Sequence, residues 1–149
     1  MLLMTYEWGY KYGPPQAVAP LDQVRRVVDY ALTEIPAEKI SLGLANYGYD
    51  WPLPFVQGRT AARTLGLVEA VELAKLVGAE IQYDETAQSP WFEYTNSGIR
   101  HVVWFEDLRS WQAKFDLIKE KGLTGMGIWQ IMRLYRAGMA LIEENFGEA

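Results

Sequence analysis

Leu2-Leu3-Met4-Thr5-Tyr6-Glu7-Trp8-Gly9 starts as an apolar, β-compatible run and finishes on a phenol, a carboxylate and an indole in succession. A run this short, broken by Gly9 and then by Gly13-Pro14-Pro15, reads as a fully buried strand. Its change of character falls where the strand should end and a loop begin. In parallel α/β folds that is where ligands sit, beyond the carboxyl ends of the strands. Two later stretches repeat the pattern: Ile40 to Trp51, which closes on Asn46-Tyr47-Gly48-Tyr49-Asp50-Trp51, and 125–131, which carries Trp129 and Gln130.

Between these stretches the spacing predicts helices. Pro20 suits a first helical position, and Leu21, Val24, Val28, Ala31, Leu32 and Ile35 recur at helical spacing. With a strand over 39–46, the first third of the chain is a βαβ unit, a connection that is right-handed almost without exception. The second strand is expected to end in Tyr47-Gly48-Tyr49-Asp50-Trp51-Pro52, followed by a long loop through Pro54 and Gly58. A second helix over about 67–77 carries Val68, Val71, Ala74 and Leu76 and stops at Gly78.

The alternation then breaks. Three β-rich runs, 80–84, 91–95 and 99–105, follow one another, the last two joined by Asn96-Ser97-Gly98, a hairpin signal. A third helix over about 107–121 has Asp107 or its neighbour as cap, and a fourth spans about 134–146. No repeat or linker divides the chain, so 1–149 reads as one unit, with about 79–106 as the β-rich part of an α+β insertion.

The three strand ends, taken in order, resemble strands six to eight of the (β/α)8 barrel of glycoside hydrolase family 18, the chitinase-like enzymes. Met-Thr-Tyr-Glu-Trp-Gly-Tyr-Lys-Tyr-Gly-Pro-Pro and Ala-Asn-Tyr-Gly-Tyr-Asp-Trp are similar to runs in its spore-cortex and germination branch of N-acetylglucosaminidases. The fold class implied is α/β, the C-terminal portion of a TIM barrel with a small α+β insertion between the seventh and eighth strands. At 149 residues the chain is shorter than the roughly 250 typical of that fold. The family's acid-bearing DxxDxDxE signature is absent from these residues and is expected upstream of Met1.

What the resemblance implies about chemistry is specific. Family 18 cleaves β-1,4 bonds next to N-acetylglucosamine, in chitin-like chains or peptidoglycan, with the substrate's own 2-acetamido group as nucleophile. Tyr6 matches a tyrosine whose hydroxyl holds the acetamido carbonyl, and Glu7 stands where many members have Asp or Asn. Trp129 matches the tryptophan that floors the reacting subsite, a role suited to an indole's flat apolar face. Tyr47 and Tyr49 match positions at the seventh strand's end, although Arg is frequent where Tyr49 stands. Trp8 and Trp51 fit either a sugar platform or packing, the ordinary use of a large aromatic. Without the acid motif the chain alone is expected to be inactive, and a non-catalytic carbohydrate-binding or structural module is the alternative.

Composition narrows the partners. A net charge of −5 argues against nucleic acid and anionic membrane, and no apolar run approaches the roughly 20 residues of a membrane span. The absence of cysteine excludes disulfides and thiolate sites. The only histidine, His101, lies in an alternating run and reads as structural, and its solitude argues against Ser-His-Asp catalysis and multi-histidine metal sites. No cofactor or metal is implied. Met1 leads straight into the strand, so any targeting signal is expected upstream, with a bacterial spore envelope or cell wall as the place the resemblance implies. Three strands of a closed barrel leave two open edges, so self-association or a missing N-terminal half of the barrel is the expected partner.

Overall fold

The computed structural model describes residues 1–147. In chain order they form β1 (Leu2–Leu3), α1 (Leu21–Leu32), β2 (Ser41–Ala45), β3 (Tyr47–Pro52), β4 (Arg63–Gly66), α2 (Leu67–Val77), β5 (Gln82–Asp84), β6 (Ser89–Asn96), β7 (Ile99–Trp104), α3 (Leu108–Lys121), β8 (Gly125–Trp129) and α4 (Arg136–Phe146). Two sheets result. One is parallel, ordered β1-β2-β8; the other is antiparallel, ordered β4-β3-β7-β6-β5. This is the α/β architecture of the C-terminal part of a TIM barrel, as the strand ends suggested.

The core lies between the parallel sheet and its helices. Ile40, Leu42 and Leu44 are fully buried against Val24 and Val28 of α1 and Phe115 and Ile118 of α3. α1 begins one residue later than expected, because Pro20 keeps an extended ψ of 127° and caps the helix from outside. Asp107 caps α3, its carboxylate accepting from Ser110 N–H at 3.0 Å. Both α2 and α3 end on a left-handed glycine, Gly78 and Gly122.

Three expectations need correction. The opening run is not a fully buried strand: only Leu2 and Leu3 pair, with β2 on one side, and Met1, Leu2 and Met4 are exposed. Nothing among the described residues covers their other side. α2 buries Leu67, Ala70 and Ala74, while Val68, Val71 and Leu76 face solvent. Its small-residue face is the one that lets the helix lie close to the antiparallel sheet. Tyr47 to Pro52, expected as the end of the second strand, is a separate strand of the antiparallel sheet, paired with β4 and β7. The sheet therefore takes in residues well before 79, and the chain crosses from one sheet to the other at Asn46.

That crossing is held by hydrogen bonds, because backbone groups leaving one ladder need new partners. The Trp111 indole donates to Ala45 C=O at 3.1 Å, and Asn46 N–H donates to Trp129 C=O at 3.0 Å.

Candidate functional site

Tyr6, Glu7, Tyr47, Tyr49 and Trp129 lie at or just past the carboxyl ends of the parallel strands. After β1, the Thr5 hydroxyl donates to Gly43 C=O at 2.9 Å and pins the chain across β2. Gly43 makes room for this: a Cβ there would stand 2.4 Å from Leu3 O and 2.9 Å from the Tyr6 ring. Tyr6 lies half-buried across that gap.

Glu7 follows with φ of +70°, the left-handed region that non-glycine residues seldom occupy. The residues after it are held by ladder-like bonds to the far end of the loop, Trp8 N–H to Val18 C=O at 3.0 Å and Gly9 N–H to Ala17 C=O at 2.9 Å. This conformation brings Glu7 Oε1 to two phenols. Tyr47 and Tyr49 both donate their hydroxyls to it, Tyr49 at 2.8 Å.

Tyr47 and Tyr49 share a face of β3 because strand side chains alternate, and their rings meet edge to face at 5.6 Å. Burial first, then the hydrogen bond to Glu7, pushes both phenols well above the usual tyrosine range. They are hydroxyl donors at any physiological pH. Tyr94, half-buried and bonded to Asp50, is raised in the same way.

A raised acid holds in the folded chain a proton that the unfolded chain loses. The stability it contributes is complete below about pH 10 and is lost as pH rises through the folded values. Spectrophotometric titration is expected to show Tyr47, Tyr49 and Tyr94 ionising only as the chain unfolds. If all nine tyrosines titrated together near pH 10 with the fold intact, this arrangement of donors would be wrong.

Trp129 ends β8 in register with Ala45, and 56% of it is exposed. Its peptide to Gln130 is cis. Arg133 reaches back over the adjoining sheet: its guanidinium lies 3.6 Å from where a Cβ on Gly66, the register partner of Tyr47, would stand. It also faces Glu69 at 4.0 Å. Trp8 is half-buried against the core. Trp51 is completely buried, its indole N–H donating to Gly13 C=O at 2.9 Å, so in this arrangement its work is packing.

Sequence reasoning missed two participants, Asn46 and Arg133. Asn46 stood inside the Ala-Asn-Tyr run without a side-chain partner that spacing alone would suggest. Arg133 lies beyond the strand-end pattern. Among the described residues no group of three or more His, Cys, Asp or Glu side chains is placed to hold a metal.

The remaining polar groups lie apart from this cluster. His101 Nδ1 meets Asp50 Oδ1 at 2.9 Å and stacks on Tyr94 at 4.7 Å, joining three strands of the antiparallel sheet. Those residues line an open cavity of about 510 Å³ next to α2.

A family model described as glycosyl hydrolases family 18 matches residues 1–133. The cortical fragment-lytic enzyme of Bacillus subtilis (strain 168) is 51% identical over 147 residues, covering 98% of this chain and 34% of that protein. The crystal structure of the Bacillus cereus spore cortex-lytic enzyme SleL matches with a TM-score of 0.95 at 44% identity, over 97% of this chain and 34% of that one. A chitinase from Chromobacterium violaceum ATCC 12472 matches with a TM-score of 0.87 at 29% identity, over 99% and 45%. The chain spans about a third of the length of the cortex-lytic relatives it matches.

Proposed function

This chain belongs to glycosyl hydrolase family 18, and from that membership we propose that it forms the substrate-holding side of a cleft that cleaves β-1,4 bonds next to N-acetylglucosamine. Similarity to cortical fragment-lytic enzymes supports a peptidoglycan-type glycan, and similarity to a chitinase supports the same amino sugar in chitin-like chains. The observation that carries the reading is the Glu7 carboxylate, fixed by the Tyr47 and Tyr49 hydroxyls, with an exposed Trp129 at the end of β8.

The chemistry is retaining and substrate-assisted. The acetamido carbonyl oxygen attacks the anomeric carbon as the glycosidic bond breaks, and the departing oxygen takes a proton from a general acid. Water then opens the cyclic intermediate and leaves the original configuration. Tyr6 donates its hydroxyl to the acetamido carbonyl. Glu7 accepts from the acetamido N–H through Oε2, which has no hydrogen bond among the described residues, while both tyrosines hold Oε1. Trp129 stacks under the reacting ring. Trp8 and Tyr49 line the approach, and the antiparallel sheet, with 79–106 as its outer part, forms one wall.

The general acid comes from residues outside these 149, and this chain alone does not turn substrate over. The open edges of β1 and β8 take the other strands of a barrel or a second copy. Exposed Met4 beside β1, and Ile131, Met132 and Leu134 after β8, fit such a covered position. A carbohydrate-binding role without catalysis is the second reading, favoured by the missing acid motif.

Titration calorimetry with tri-N-acetylchitotriose tests the holding role. Trp129→Ala is expected to weaken binding at least about tenfold, the scale of losing one stacked aromatic anchor. Equal affinity in the variant would remove Trp129 from the site.

A further inference from the structure

The two sides of the cleft meet at neighbouring residues of one strand crossing. Tyr47 reaches Glu7, and Asn46, immediately before it, reaches the segment after β8. Asn46 is almost completely buried. Its side-chain Oδ1 accepts from Gln130 N–H at 2.7 Å, and its Nδ2 donates to Gln130 C=O at 2.7 Å and Arg133 C=O at 2.6 Å. Its own N–H donates to Trp129 C=O. Both side-chain donors and the acceptor are in use, the full inventory short of one lone pair.

The segment it holds has little else to hold it. Ile131 is 93% and Met132 83% exposed, so apolar packing does not fix 130–132. A stacking platform needs a defined orientation, which comes from its supporting shell when its own burial is slight. Asn46 is too deeply buried to meet a glycan directly. It can act on one only through Trp129.

We propose that Asn46 is the positioning residue for the Trp129 platform, locking the segment from Trp129 to Arg133 to the strand that also carries Tyr47. This rests on the sugar-floor reading of Trp129. The side chain must be an amide: an aspartate of the same shape would set a carboxylate against two carbonyl oxygens, and an alanine would leave Arg133 C=O and Gln130 N–H without partners and Gln130 C=O with Arg133 N–H alone.

The test uses the full 149-residue chain with 5-fluorotryptophan at its six tryptophans, the Trp129 fluorine signal being assigned by its loss in Trp129→Phe. In Asn46→Ala and in the isosteric Asn46→Asp that signal is expected to shift or broaden while the other five stay in place. Affinity for tri-N-acetylchitotriose should fall about tenfold, the factor equivalent to one or two net hydrogen bonds. Val24→Ala, a cavity in the core under α1, should lower stability without moving the Trp129 signal.

An unchanged Trp129 signal in Asn46→Asp, or an equal shift in Val24→Ala, would overturn the proposal. If neither Asn46 variant folds, amide exchange in the unaltered chain decides: a Gln130 N–H protected well beyond that of Ile131 supports the lock, and equally fast exchange refutes it. A native chain that ignores the trisaccharide counts against the sugar-floor reading alone, since the fluorine comparison still decides whether Asn46 sets Trp129.

Discussion

Lys114→Met is expected to remove about 3–5 kcal/mol of folding stability at pH 7, the range for breaking a buried ion pair from one side. Lys114 and Glu106 are both completely buried, with Nζ 3.1 Å from each carboxylate oxygen. Glu106 sits just before the Asp107 cap, and Lys114 reaches it from the second turn of α3. Domains of this size hold only about 5–15 kcal/mol in total. The single change therefore takes a large fraction of the margin.

The loss should depend on pH. Burial raises Glu106 above the ordinary carboxyl value of 4.5, and Lys114 is the largest influence pulling it back. Without the lysine only the upward push remains. A carboxyl raised in this way costs stability as pH climbs from its unfolded value through its folded one, because the unfolded chain releases the proton first. The Lys114→Met deficit should therefore be smallest below about pH 4.5 and largest near neutrality. Adding Glu106→Gln should recover most of it. Urea unfolding at pH 4 and pH 7 is the check, and an equal deficit at both would mean that the charge of Glu106 is not what the lysine compensates.

The other large effect is chemical. The 149-residue chain is expected to release no sugar from tri-N-acetylchitotriose above the uncatalysed background. Each carboxylate near the strand ends is committed to a role other than proton donor. Glu7 accepts from two phenols through one oxygen, which makes it an acceptor in the site. Asp50 is bound by Tyr94 and His101 in the antiparallel sheet, Glu106 by Lys114, and Asp107 caps α3. Positioned proton transfer alone is worth about 10²–10⁴ in rate, and the departing oxygen has no acid here to supply it.

How much of this was legible depends on which forces were local. α2 and α3 follow from spacing, a capping Asp107 and the glycines at 78 and 122, all readable within a few residues. β3 was not. Tyr47, Tyr49 and Trp51 alternate with Gly48 and Asp50, which fits a continuation of the strand before them as well as a strand of another sheet, and pairing with β7, some fifty residues away, decides the matter. The burial of the opening run failed for a related reason. An apolar strand announces that it wants cover, while its sequence does not say whether the described chain provides any.

The site divides in the same way. Motif resemblance picked out Tyr6, Glu7, Tyr47 and Tyr49, and the structure brings these four together; Trp129 is tied to the same strand crossing by its pairing with Ala45 and by Asn46. The lock at Asn46 and the Lys114–Glu106 pair depend on side chains meeting across elements. Glu106 lies outside α3, so the neighbour rule for helix faces does not connect it to Lys114.

The central expectation is that these strand ends hold the acetamido group without cleaving the bond beside it. Tri-N-acetylchitotriose labelled with carbon-13 at its acetamido carbonyls, titrated into the chain and followed by NMR, tests this in one tube. A carbonyl signal that shifts saturably, stays free of hydrolysis product, and loses that shift in Tyr6→Phe is the predicted result. Product formation, an unmoved carbonyl, or the same shift in Tyr6→Phe would contradict it.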